Sequence, residues 1–291
     1  MAEQSDTRVG VYIDFDNIVI SRYDQRHRRG DFHRDNVRTF DPRNEAGSEV
    51  ARKLEDATVD LGAILDYASS FGPIAVNRAY ADWSVPVNAS YQKQLIDRAV
   101  DLVQLFPAVR SMKNGADIRL SIDVVEDLFR LDDLTHVVIV AGDSDYIALA
   151  QRCKVLGRYV VGIGVAGATS GALASACDEF ADYDALPGIE AVTAPSPTPT
   201  EQKPSRRRAK SPQDAAADLL VRALQLGESK TDDEWQPSGS VKNQMLRMDP
   251  AFQERALGFS SFSSFIKSHD ALVELDESTS ARRMRLRKNP N

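Results

Sequence analysis

The stretch HVVIVAGDSDYIALAQRCKVLGRYVVGIG, residues 136–164, reads as a complete strand–helix–strand unit. HVVIVAG is an unbroken apolar run, the pattern of a strand buried on both faces. DSDYIALAQRCKVLG has helical spacing and stops at a glycine. RYVVGIGVAG, residues 158–167, is a second apolar strand. Two such strands joined by a helix are a parallel pair. Asp143 and Asp145 follow the first run directly. A buried strand does not tolerate bare carboxylates, so these acids mark the strand's end and raise the question of what positive charge they meet.

The same alternation extends in both directions. RVGVYIDF (8–15) reads as a first strand that ends in acids, and PIAVNRAYADW (73–83) as a second. SEVARKLEDATVDLGAILDYASSFG (48–72), NASYQKQLIDRAVDLVQLFP (88–107, with Asn88 as cap), ADIRLSIDVVEDLFRL (116–131) and SGALASACDEFADY (170–183) have helical spacing. AVRSMKN (108–114) is a candidate short third strand. Alternating strands and helices predict an α/β domain, a parallel sheet flanked by helices. Residues 21–47, SRYDQRHRRGDFHRDNVRTFDPRNEAG, form a long Arg- and His-rich connection after the first strand. Such a length is a functional loop, able to grip an anion, or a mobile surface insertion.

The chain has 291 residues and a net charge of −7. Typical domains run to roughly 100–200 residues, which predicts two. Residues 1–199 hold 20 basic against 30 acidic residues, and residues 200–291 hold 16 against 13. An acidic front and a basic back suggest separate tasks. Residues 187–211 are rich in Pro, Ser and Arg and read as a disordered linker, with a basic cluster at 206–210. The domain bounds expected are 8–186 and 212–288. Cys153 and Cys177 have no metal-ligand neighbours at short spacing and read as small core residues of a reducing compartment. The chain opens without an apolar leader, and its apolar runs are too short to span a bilayer, so a cytoplasmic location is expected.

Ligands of an open parallel sheet bind at the carboxyl ends of its strands. Asp14, Asp16 and Asn17 fall there after the first strand, and Asp143, Ser144 and Asp145 after the fourth. Asp117 opens the helix at 116–131. Each acid alone could be a helix cap or a dipole partner. Together they would repel one another, at roughly 4 kcal/mol per pair 4 Å apart in a medium of effective dielectric near 20. A divalent cation or a retained proton relieves that repulsion. An all-oxygen donor set suits Mg²⁺ or Mn²⁺, and the lack of His and Cys in these motifs argues against zinc. The chemistry indicated is metal-dependent attack on a phosphate ester.

VYIDFDNI, KNGADIRLSIDVVEDL, IVAGDSDYIALAQRCKVLGRYVVGIG and SGALASACDEF occur in that order, and together they resemble the NYN domain, a branch of the PIN-like ribonuclease superfamily. The resemblance implies a Rossmann-like (PIN-like) α/β sheet and a Mg²⁺- or Mn²⁺-dependent RNase whose metal-binding and catalytic carboxylates are Asp14, Asp117, Asp143 and Asp145. Asp16, Asn17, Ser144 and Asp178 are expected to support them. Phe15 stands where such domains often carry glycine. The back part, with DDEW (232–235), LRMDPAFQERALGFSSFSSFIKS (246–268) and a final strand pair, resembles a LOTUS (OST-HTH) domain, a small winged-helix-like α+β module that binds RNA or protein partners. In VELDESTSARRMRLRK (273–288) a period of two puts Arg283, Arg285 and Arg287 on one face. Those arginines, with Lys242 and Arg247 and extended by Lys230, are the expected RNA contacts, the bland alternative being a solvated edge strand protected by charge. A homodimer and a protein partner of the LOTUS module are further partner arrangements the resemblance leaves open. Two other functions stay open: a non-catalytic RNA-binding adaptor, and a haloacid-dehalogenase-like phosphatase with Asp14 as nucleophile and Asp16 as acid.

Overall fold

The computed structural model describes residues 7–41, 47–106, 115–189, 211–229, 233–278 and 282–287. The chain divides into two compact units, Met1–Glu190 and Ala191–Asn291. The expected third strand at 108–114, the linker's basic cluster at 206–210 and Lys230 all lie outside the described residues.

In the first unit, β1 (Val9–Asp14) leads directly into α1 (Phe15–Arg26). Short helices α2 (Asp31–Arg34) and α3 (Glu49–Asp56) precede α4 (Leu61–Ser69) and β2 (Ile74–Ala81). Next come α5 (Pro86–Ala89), α6 (Gln92–Asp97), β3 (Asp101–Gln104) and α7 (Ala116–Arg130). The quoted stretch forms β4 (His136–Val140), a 3₁₀ turn at Ser144–Tyr146, α8 (Ile147–Val155) and β5 (Tyr159–Gly164). The unit closes with α9 (Gly171–Ala176) and β6 (Glu179–Asp182).

The six strands are ordered β3-β2-β1-β4-β5-β6, and every pairing is parallel. β1 sends Val9, Val11 and Ile13 into one apolar layer with α1 and α4, and Tyr12 into the other with α7 and α8. Successive side chains of a strand point to opposite faces, so one strand feeds two cores. The strand order reverses between β1 and β4, and the crevice of such a sheet opens at their carboxyl ends.

Three sequence expectations are corrected. Residues 88–107 form no single helix: α5 and α6 are short, Ala99 takes a positive φ of 54°, and Asp101–Gln104 pair with Arg78–Ala81 as an edge strand. The sheet edge satisfies the backbone groups of DLVQ and overrides its helical spacing. The 48–72 helix is broken between α3 and α4, where Asp60 caps α4 through Ala63 N and Tyr183 Oη accepts from Asp60 N. The tail of the 170–183 segment is β6 rather than helix. The described part of the 21–47 connection is also folded against the unit. Its first residues continue α1, and Asp24 accepts from Gly30 N and Phe32 N. Arg22 pairs with Asp184 at 2.5 Å and lies over the Tyr183 ring, Arg26 pairs with Asp56, and Arg38 reaches Asp82 at 3.7 Å.

In the second unit, α10 (Pro212–Glu228) starts at a capping box made by Ser211 and Asp214. β7 (Gln236–Pro237), α11 (Ser238–Met248), α12 (Phe262–Lys267), β8 (Val273–Asp276) and β9 (Arg283–Leu286) follow. The strands form an antiparallel sheet, β7-β9-β8. Phe252, Phe265 and Ile266 are buried, with Leu257, Phe259 and Phe262 packed against them. These apolar positions serve the core, as their helical spacing predicts. Both cysteines are buried free thiols whose pKa is pushed up to about 12 by burial.

Candidate active site

Asp14 is the last residue of β1 and the N-cap of α1. One carboxylate oxygen accepts from Asn17 N at 3.1 Å, and the other accepts the Tyr146 hydroxyl at 2.7 Å. The side chain is buried, and its pKa rises to about 6. Burial is the main cause. The Tyr146 and Asn17 hydrogen bonds work the other way, and the neighbouring Asp16 and Asp143 push up again.

Tyr146 binds the cluster together. It is fully buried at the end of the 3₁₀ turn that follows β4. Its pKa is raised by burial first, then by the charges of Asp14, Asp117 and Asp143. Acids from three chain segments therefore act on one hydroxyl. Asp143 caps the turn, accepting from Asp145 N at 3.2 Å and from the Ser144 hydroxyl at 3.4 Å. Asp143, Ser144 and Asp145 are exposed, and Asp117, in the first turn of α7, is half-buried. Cap and cluster member are thus compatible roles for one aspartate.

Asn17 ties the two strand ends: its side-chain oxygen accepts from Gly142 N at 3.0 Å. Asp16 is buried rather than free in the crevice, and Asn88 donates to it at 2.6 Å and to the Asp82 carbonyl at 3.0 Å. Asp82 follows β2, accepts from Ser84 and Gln104, and has a lowered pKa. Phe15 is buried and packs on Trp83 and Tyr91, each with ring centroids 5.1 Å away. Its ring belongs to the core cluster of β1, α1 and α4.

Asp178 does not join the other acids. It accepts from Val160 N at 2.9 Å and pairs with Lys154 at 3.0 Å, near the amino ends of β5 and β6, the opposite edge of the sheet. The acid at the carboxyl end of β6 is Asp182, whose pKa is raised mainly by burial. Tyr146, Asn88 and Asp82 are site-edge residues that the sequence reading missed. Tyr146 had a signal in its position at the end of GDSDY, and Asp82 in its place directly after the second strand.

No set of three or more His, Cys, Asp or Glu side chains among the described residues is spaced to enclose a metal ion as it stands. The donor chemistry nonetheless fits a hard cation. The groups that raise Asp14 are burial and further acids, and only hydroxyl and amide donors oppose them. Mg²⁺ is commonly held by one or two carboxylates while it keeps several waters, so it needs no closed protein cage.

The NYN domain model matches residues 8–184, and the OST-HTH/LOTUS domain model matches residues 208–284. The chain belongs to the NYN domain family. Its order, a PIN-like nuclease-family domain and then a LOTUS module, is the order the motifs predicted. No curated protein matches the chain significantly. A crystal structure of a protein of unknown function from Vibrio parahaemolyticus is similar, with a TM-score of 0.45 and 19% identity over 62% of this chain and 96% of that one. No helix of the described residues is long and apolar enough to cross a membrane.

In the LOTUS unit, β9 alternates as expected, with Met284 buried and Arg283, Arg285 and Arg287 on the other face. The three arginines differ in freedom. Arg285 is ion-paired with Glu274 at 2.7 Å and Glu234 at 3.4 Å, and its guanidinium lies over Trp235 at 4.6 Å. Lys242 is paired with Glu254 at 2.8 Å. Arg283, Arg287 and Arg247 are exposed.

Proposed function

We propose that this NYN protein is a Mg²⁺- or Mn²⁺-dependent endoribonuclease whose LOTUS module recruits RNA. The observation that carries the reading is geometric: Asp14 ends β1 and accepts the Tyr146 hydroxyl at 2.7 Å, and Asp143 caps the turn that ends at Tyr146, at the shared carboxyl edge of the paired strands β1 and β4. Asp14, Asp117, Asp143 and Asp145 would hold the ion. When bound, the ion supplies Lewis acidity toward a phosphodiester and neutralises the acids. Tyr146 and Asn17 hold Asp14 in one orientation, and the Asn17–Gly142 bond fixes the spacing of the two strand ends. Ser144 sits exposed beside Asp143 and can donate to a phosphate oxygen. Water replaces one ester oxygen on phosphorus and the leaving oxygen takes a proton, so the products are two shorter strands.

In the LOTUS unit, Arg283, Arg287 and Arg247 are exposed cations able to meet phosphates, while Arg285 and Lys242 hold the fold. A tethered binding module raises the local concentration of RNA at the crevice, within the reach of its linker. The phosphatase reading fares worse because Asp16, its required acid, is buried and held by Asn88.

The test is incubation of circular single-stranded RNA with Mn²⁺, comparing the natural chain with Asp143→Asn. Asp143 is exposed, so the substitution spares the core. The expected result is cut circles with the natural chain, and RNA binding without cutting for the variant. Equal cutting by both removes the acid cluster from the chemistry. Binding with no cutting by either, in Mg²⁺ or Mn²⁺, makes the protein an adaptor.

A further inference from the structure

α7 has two apolar faces. Leu120, Val124 and Leu128 point into the sheet core. Ile118, Ile122 and Phe129 point outward, with exposures of 63%, 56% and 67%, and the half-buried Val125 lies between them. At 100° per residue the outward set lies opposite the buried one. Its spacing is four, three, four, the seam of a helix that pairs with another helix. A solvent-facing helix surface is normally polar, and a contiguous apolar stripe marks an interaction site.

We propose that this stripe pairs with α7 of a second copy of the chain, antiparallel and about a twofold axis. The pattern is self-complementary in that orientation. Ile122 comes opposite the partner subunit's Val125, and Ile118 opposite the partner subunit's Phe129, each contact occurring twice as a twofold interface requires. The flanking charges decide the direction. Arg119 and Glu126 lie along one border of the stripe, with side chains 57% and 56% exposed. In the antiparallel pair Arg119 faces the partner subunit's Glu126, and the reverse. A parallel pair would set Glu126 against the partner subunit's Ser121, with no opposite charge to meet. Within one copy, Arg119 bridges Asp123 at 2.9 Å and Glu126 bridges Arg130 at 3.1 Å. Glu126–Arg130 is an exposed pair, weak and readily exchanged for a contact across an interface. Asp123 is buried, so Arg119 keeps it and meets the partner subunit's Glu126 with the exposed side of its guanidinium. One helix-to-helix contact lies at the small end of specific interfaces, so the dimer is reversible.

Sedimentation velocity of the full chain, from roughly micromolar to hundreds of micromolar, tests this. The natural chain should pass from monomer to dimer across that range. Ile122→Glu should weaken the dimer at least tenfold, with an unchanged or higher melting temperature at dilutions where both chains are monomers, because the side chain it replaces is exposed. Glu126→Arg should weaken it alone, and mixing that variant with Arg119→Glu should give a heterodimer that neither forms alone. Should Arg119→Glu fail to fold beside Asp123, the other two variants still decide. A natural chain that stays monomeric throughout overturns the proposal, as does a dimer that Ile122→Glu leaves intact. A monomer whose melting temperature falls on Ile122→Glu overturns it too, and shows the stripe covered within one chain.

Discussion

Asp14→Asn should stabilise the metal-free protein at neutral pH, although it removes a site residue. The ordinary value of this carboxyl is 3.8, and in the fold it is pushed up to about 6. The folded state therefore binds the Asp14 proton more tightly than the unfolded chain does. That favourable contribution is complete below about pH 4 and is lost as pH rises through about 6. A gap of two units corresponds to about 3 kcal/mol at pH well above 6. Asparagine has no charge to bury, but its side chain can accept through one oxygen only, so one of the bonds from Asn17 N and Tyr146 weakens, at about 1 kcal/mol. The net gain expected is about 1–2 kcal/mol at pH 7.5, turning into a small loss at pH 4. Urea unfolding in a chelator measures it, in a common Trp235→Phe background so that the buried Trp83 reports on the NYN unit. A stability difference that is the same at both pH values would refute the burial of an ionised Asp14.

Further expectations follow from individual contacts. Tyr146→Phe removes a hydroxyl that favours the ionised Asp14, so the pH at which stability declines should move above 6, read from the same titration. Asn88→Ala leaves buried Asp16 without its amide donor and should cost about 1–3 kcal/mol in urea unfolding. Removing Arg283 or Arg287 should weaken RNA binding and lower the salt dependence by about one unit each, measured by filter binding at several salt concentrations. Arg285→Ala should instead lower the melting temperature of the LOTUS unit, because it unties Glu274, Glu234 and Trp235. Gly162→Ala should destabilise by about 1–3 kcal/mol on unfolding, since an added Cβ would meet the Phe180 ring at 2.4 Å.

The legible parts of this molecule are those that local pattern dictates. β1, β4 and β5 are continuous apolar runs, and the acids that end β1 and β4 must lie at one sheet edge once the strands are parallel. The LOTUS core and the alternation of β9 follow from spacing in the same way. What stayed hidden depends on contacts distant in the chain. DLVQ has helical spacing and becomes β3 because β2 offers it an edge 23 residues earlier, Arg78 pairing with Asp101. Asn88 looks like a cap and instead reaches Asp16, 72 residues away. Asp178 is an acid near the end of the domain, but it stands before β6, and the strand's direction carries it to the wrong edge. Of the arginines of 21–47, Arg22, Arg26 and Arg38 find Asp184, Asp56 and Asp82 within the fold, which the sequence does not show, while Arg28 and Arg29 are exposed.

Whether the crevice traps a divalent ion is decided most directly by anomalous diffraction at the manganese edge from crystals soaked in Mn²⁺. The expected peak lies between the carboxylates of Asp14 and Asp143 and vanishes in Asp143→Asn crystals soaked alike. Soaked crystals of the natural chain with no peak at that sheet edge, or a peak there that survives the substitution, would contradict it.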